Sequence, residues 1–75
     1  MFDRRSRVFL MLALLNEAYG DVRSMITCLS DFIASHPEMK DEIEEFGLEE
    51  ILDSALELER KILDVMEEMK KVVYR

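Results

Sequence analysis

The chain has 75 residues, 49% of them hydrophobic and 36% charged, with two glycines and one proline. That composition excludes a disordered polypeptide and allows one domain, residues 1–75, whose core is marginal unless something completes it. A single cysteine, Cys28, and a single histidine, His36, exclude an internal disulfide and a structural zinc site, and the net charge of −7 opposes binding nucleic acid with the whole surface.

Residues 3–35 read as one long helix. Val8, Leu15, Val22 and Leu29 form one seven-residue series. Met11, Ala18, Met25 and Phe32 form a second, and Leu12, Tyr19, Ile26 and Ile33 a third. Adjacent series of this period fill one broad helix face. The phase passes through Gly20 without a slip, so Gly20 is expected inside the helix, where another backbone comes close. At 1.5 Å per residue the helix is about 50 Å long. Arg4, Arg5 and Arg7 followed by the apolar run from Val8 to Leu15 resemble the start of a secretory signal. The run is too short to span a bilayer, and its pattern continues in phase beyond Leu15. The expectation is a cytoplasmic protein with no membrane contact.

Ser35-His36-Pro37-Glu38 should end this helix and start a short one over 37–46. Pro37 disfavours helical geometry at His36, and Ser35 with Glu38 has the spacing of a capping box. Met39, Ile43 and Phe46 share one side of the short helix, and Gly47 is its expected C-cap. Residues 48–74 form the last helix. Leu48, Ala55, Ile62 and Met69 are one heptad series, and Ile51, Leu58, Val65 and Val72 the other. Leu52, Leu56, Leu63, Met66 and Val73 widen that face. Glu49 and Glu50 in its first turn and Lys70 and Lys71 in its last suit the helix dipole.

The fold class is therefore all-α: an antiparallel hairpin of two long helices joined by a short one, with coiled-coil-like packing. Each long helix carries an apolar arc too broad for one facing helix to cover. A two-fold homodimer forming a four-helix bundle is the expected solution. Its core and interface residues are Val8, Met11, Leu12, Leu15, Tyr19, Val22, Met25, Ile26, Leu29, Phe32, Ile51, Leu58, Ile62, Val65 and Met69. The alternative is a three-helix monomer with the short helix folded over the hairpin. The absence of Gln, the single Asn and the high charge lean toward a thermophilic source.

Few residues suggest chemistry. Arg4, Arg5 and Arg7 oppose the dipole of their own helix, and the hairpin brings them near Lys70, Lys71 and Arg75. This basic end is a candidate contact for nucleic acid or another anionic partner, against the simpler reading of a solvated terminus. Glu38, Asp41, Glu42, Glu44, Glu45, Glu49, Glu50 and Asp53 form an acidic block. Glu42 and Glu45 have the E-x-x-E step of some metal-dependent helical enzymes, but the E-x-x-H signature of di-iron bundles is missing, and a solvated face is the plainer reading. Asn16, Glu17, Glu59 and Arg60 should border the core with their polar ends in water. Tyr19 should be core or interface, Cys28 a small buried hydrophobe, His36 an ordinary turn residue, and the six methionines core filling. No cofactor is expected. The leading function is a non-catalytic interaction or regulatory protein, ahead of a nucleic-acid-associated regulator and of a carboxylate-metal enzyme.

Overall fold

The computed structural model describes residues 3–74. Helix α1 runs Arg4–Ser35, a single 3-10 turn covers Pro37–Met39, α2 is Lys40–Glu45, and α3 runs Leu48–Val73. The two long helices pack side by side as an antiparallel hairpin, a rod 55 × 18 × 14 Å across its Cα atoms. No strand occurs among the described residues.

Local chemistry sets the ends. Asp3 lies outside the helix expected to include it: it is the N-cap, with extended backbone, and its carboxylate accepts the Ser6 N–H at 2.8 Å. At the other end the chain leaves α1 at His36, whose φ of −127° and ψ of 62° are non-helical. Ser35 is still the last helical residue of α1, so the expected capping box with Glu38 does not form. Instead His36 Nδ1 and Glu38 Oε1 lie 2.9 Å apart, and the imidazole packs on Phe32 at a centroid distance of 4.6 Å. The short element expected over 37–46 is split, because Pro37 opens a 3-10 turn before the α-helical register begins at Lys40. Gly47 stops α2 with φ at +67°, and the same residue is the N-cap of α3. A left-handed residue there is natural for glycine and strained for any other.

Side chains meet along one seam. Val8, Leu12, Leu15, Tyr19, Val22 and Ile26 supply it from α1, in alternating steps of four and three. Leu52, Ala55, Ile62, Met66, Met69 and Val73 answer from α3, with Glu59 completing the same spacing. Ile43 of α2 is buried at the closed end of the hairpin, whereas Met39 and Phe46 are exposed. The short helix therefore plugs an end and covers no long face. Gly20 has no atom within 4 Å of where a Cβ would stand, so the close backbone approach expected there is absent from the described chain.

The core is thin. Its buried residues retain between 3 and 8% exposure, and no described side chain is completely enclosed. Two helices form only one layer, so each seam residue has neighbours on one side and an open edge on the other.

Candidate interaction surface

The seam divides the hairpin into two long sides of different chemistry. On one side α1 places Met11, Ala18, Met25 and Phe32, each one residue before a seam position. On α3 the equivalent positions are Ile51, Leu58, Val65 and Val72. Equal rotation about antiparallel axes carries both series to the same side of the rod. The ion pair between Arg23 and Glu59, 2.7 Å, fixes the relative level of the helices. At that register Met11 comes level with Val72, Ala18 with Val65, Met25 with Leu58, and Phe32 with Ile51. These four apolar levels make one continuous strip. Six of its eight side chains, all but Ala18 and Val72, are 37–49% exposed.

The opposite side is mixed. Phe9, Asn16, Arg23 and Ser30 of α1 lie across from Leu56, Leu63 and Lys70 of α3. Here the Glu59 carboxylate reaches out of the seam to Arg23, which is half exposed. Glu59 was expected to border the core. It occupies a seam position of the hairpin itself, only 17% exposed at its side chain.

Sequence-derived interface residues thus fall into two groups. Leu12, Val22, Ile26 and Ile62 are buried within the chain, and Val8, Leu15, Tyr19, Leu29 and Met69 are half-buried around them. Met11, Met25, Phe32, Ile51, Leu58 and Val65 remain exposed on the apolar side. Ala55, Leu52, Met66 and Val73 complete the seam although they are missing from that interface set. Steps of three and four join them to the other seam residues, but the same steps join Ala55 and Ile62 to the exposed Ile51 and Leu58, so spacing by itself does not mark them. Cys28 is exposed, not a buried hydrophobe, because it falls between the apolar series on the outer face of α1.

The two ends of the rod have opposite charge. At the open end the hairpin brings Arg4, Arg5 and Arg7 to the same end as Lys70 and Lys71; Arg75 lies outside the described residues. Arg5 is committed to structure, since its Nε donates to the Val73 carbonyl at 2.8 Å and satisfies a C-terminal acceptor of α3. Lys70 and Lys71 pair with Glu67 and Glu68 one turn back. A cleft of about 510 Å³ at this end is lined by Asp3, Arg5, Ser6, Phe9, Leu10, Val73 and Tyr74. Asp3 stands in that cleft beside Arg5, and accepting the Ser6 N–H holds its carboxyl below the ordinary value, so it stays anionic. An acid and an engaged arginine make a poor cradle for phosphate.

At the turn, residues 36–53 carry eight acids against one lysine, Lys40. Lys40 reaches Glu44 at 3.9 Å, and Glu38 is held below its ordinary value by the hydrogen bond from His36. Among the described residues no three Asp, Glu, His or Cys side chains converge to hold a metal ion, Glu42 and Glu45 included. No described helix is long and apolar enough to cross a membrane.

An uncharacterized protein of the thermophilic archaeon Archaeoglobus fulgidus is 43% identical over 70 residues, which span 93% of this chain and 92% of that protein. This chain belongs to the same family. Seventy aligned residues take in the turn and most of both long helices. No family model matches the chain, and no solved structure matches it.

Proposed function

We propose that the chain is a non-catalytic interaction or regulatory protein of the cytoplasm that works as a homodimer, two hairpins closing into a four-helix bundle. The observation that carries this reading is the apolar strip. Fully burying a large apolar side chain contributes roughly 1.5–3 kcal/mol. Six such residues left nearly half exposed forgo about 4–8 kcal/mol per protomer, comparable with the whole stability of a small domain. A second copy restores that burial with one self-complementary surface. The absence of any enclosed side chain among the described residues supports the same reading, since a second layer is what the seam lacks.

A non-catalytic role is supported by where the perturbed ionisable groups sit. Asp3, Arg23 and Glu38 are exposed groups whose shifts come from bonds inside the fold, to the Ser6 backbone N–H, to Glu59 and to His36. The test is absolute mass by light scattering behind size exclusion, over a hundredfold range of concentration. The expected result is twice the 8.9 kDa chain mass. A folded monomer at every concentration overturns the homodimer.

A further inference from the structure

We infer that the second copy docks head to tail: the two hairpins lie face to face on their apolar strips, related by a two-fold axis perpendicular to the rod, with the basic end of each over the acidic turn of the other. This inference rests on the homodimer reading and adds its topology. Both ways of stacking two hairpins, parallel or head to tail, cover the same strip, so apolar burial does not choose between them. Charge does, once the position of the strip allows both.

Position comes first. The four apolar levels are centred between Ala18 and Met25 on α1. The midpoint of a 55 Å rod lies about 27 Å from Asp3, or some 18 residues at 1.5 Å each, near Asp21. The strip is therefore centred on the rod. A perpendicular two-fold through that centre overlays the whole strip on itself and superposes opposite ends. It pairs the level of Met11 with that of Phe32 in the other copy, and Ala18 with Met25, a small side chain against a long one. The broad face of 55 by 18 Å offers about 1,000 Å² per protomer, against the about 800 Å² each partner contributes to a stable interface.

Charge then decides. Parallel docking would set the acidic turn, with its eight acids and one lysine, beside an identical turn. It would also set Arg4 and Arg7 beside their own copies. The ends of stacked helices stand 8–10 Å apart, within about one Debye length at physiological salt, so this repulsion is not screened away. Head-to-tail docking replaces it with attraction: Arg4 and Arg7 approach Glu38 of the other copy, and Lys71 approaches Glu50. The arrangement has a local cost. Near the axis it sets Asp21 beside its own copy and Lys61 beside its own copy, where parallel docking would pair Asp21 with Lys61. Those are isolated rim charges, whose pairs contribute little, and the block charges at the two ends outweigh them.

The topology also accounts for the apolar residues that broaden the strip only at its ends. Leu10 and Leu14, 51 and 65% exposed, extend it near the open end, while Met39, 37% exposed, extends it near the turn. Head to tail brings the two extensions together.

The experiment places one nitroxide spin label per chain at the end of α1, using Ser35→Cys in a Cys28→Ser background, and measures the label separation in the dimer by pulsed dipolar spectroscopy. Both sites are exposed, and light scattering on the labelled protein confirms the mass. Head-to-tail docking places the labels about 13 residues on either side of the axis, about 40 Å apart at 1.5 Å per residue. Parallel docking holds them at one level, within about 25 Å across a bundle of 10 Å helices. A short distance in a dimer overturns the topology and leaves the homodimer standing, whereas a monomer by mass removes both.

Discussion

Gly20 and Gly47 are the only glycines, and their environments give opposite predictions. Gly20 sits inside α1 with open space where a Cβ would project, on a surface away from both the seam and the apolar strip. Gly20→Ala should stabilise the fold by about 1 kcal/mol through helix propensity alone. Gly47 holds φ at +67°, and Gly47→Ala should destabilise by about 1–2 kcal/mol for the left-handed backbone. Urea titrations of the two variants side by side check both signs; the same sign for both would mean that the turn relaxes. Asp3 gives a pH prediction. Its carboxyl lies below the ordinary value of 3.8 because it accepts the Ser6 N–H. A depressed acid stabilises the fold above its unfolded value, and that stabilisation is lost as pH falls through the folded value. Asn caps a helix without titrating. Asp3→Asn should therefore match the parent at pH 7 and lose less melting temperature than the parent below pH 4, as parallel thermal melts would show. Other residues at this scale were hidden from the sequence. Ser35 and Glu38 have the right spacing for a capping box, but spacing does not reveal whether the chain leaves the helix at Ser35 or at His36. Arg5 reads as an unwanted cation at an N-terminus until α3 supplies the Val73 carbonyl it caps.

The helices themselves were legible. Seven-residue series on both sides of Pro37 mark two long amphipathic elements, and the observed bounds, Arg4–Ser35 and Leu48–Val73, lie close to those the pattern implies. Less legible was which series faces inward. Three adjacent series crowd one arc of α1, and the hairpin uses two of them for its seam. Steps of four and three do not decide it, because the Val8 series alternates in that way with the Met11 series as well as with the Leu12 series. The Met11 series is left outside. This division predicts different behaviour for neighbouring residues. Ile62→Ala removes a seam side chain and should cost about 2–4 kcal/mol of hairpin stability. Leu58→Glu alters only the apolar strip, so it should lower the mass measured by light scattering while circular dichroism retains most of the helical signal at high concentration. Equal loss of helix in both variants would contradict a seam distinct from the strip. Glu59 is the element-scale exception, a carboxylate at a seam position whose bond to Arg23 ties the axial register of the helices. A shift of one heptad would separate the pair and leave the half-buried Glu59 carboxylate without its partner.

At the scale of the whole molecule the main feature is the distribution of charge. The net −7 hides a rod with a basic open end and an acidic closed end, and only the antiparallel fold turns a sequence gradient into a geometric one. Residues 1–36 balance to zero in the sequence, so their arginines gain meaning only once Lys70 and Lys71 stand beside them. The excess of apolar surface over what one hairpin can bury was visible in the composition of both long helices. Its greater continuity on one side was not, since that depends on the register set across the seam. The candidate surface is therefore a property of two helices together. Chemistry was equally hard to place from spacing: Glu42 and Glu45 share a step seen in metal-binding helices, yet no third ligand meets them among the described residues.

The turn over residues 36–47 also governs the order in which the molecule can assemble. Leu29 and Leu52, at the seam level nearest the turn, close a loop of only 23 residues, whereas Val8 and Val73 close one of 65. The longer loop costs about 1 kcal/mol more in chain entropy if formed alone. Closed after its neighbours, each further heptad adds only a few residues of slack. The hairpin thus zips from its acidic turn toward its basic open end, with local contacts that favour rapid folding. Thermal opening runs the other way. The last contacts made, at Val8 and Val73, are the first released, so fraying begins where Arg5 holds the end of α3. One guanidinium on one carbonyl is thereby the latch on the end of the rod that opens first.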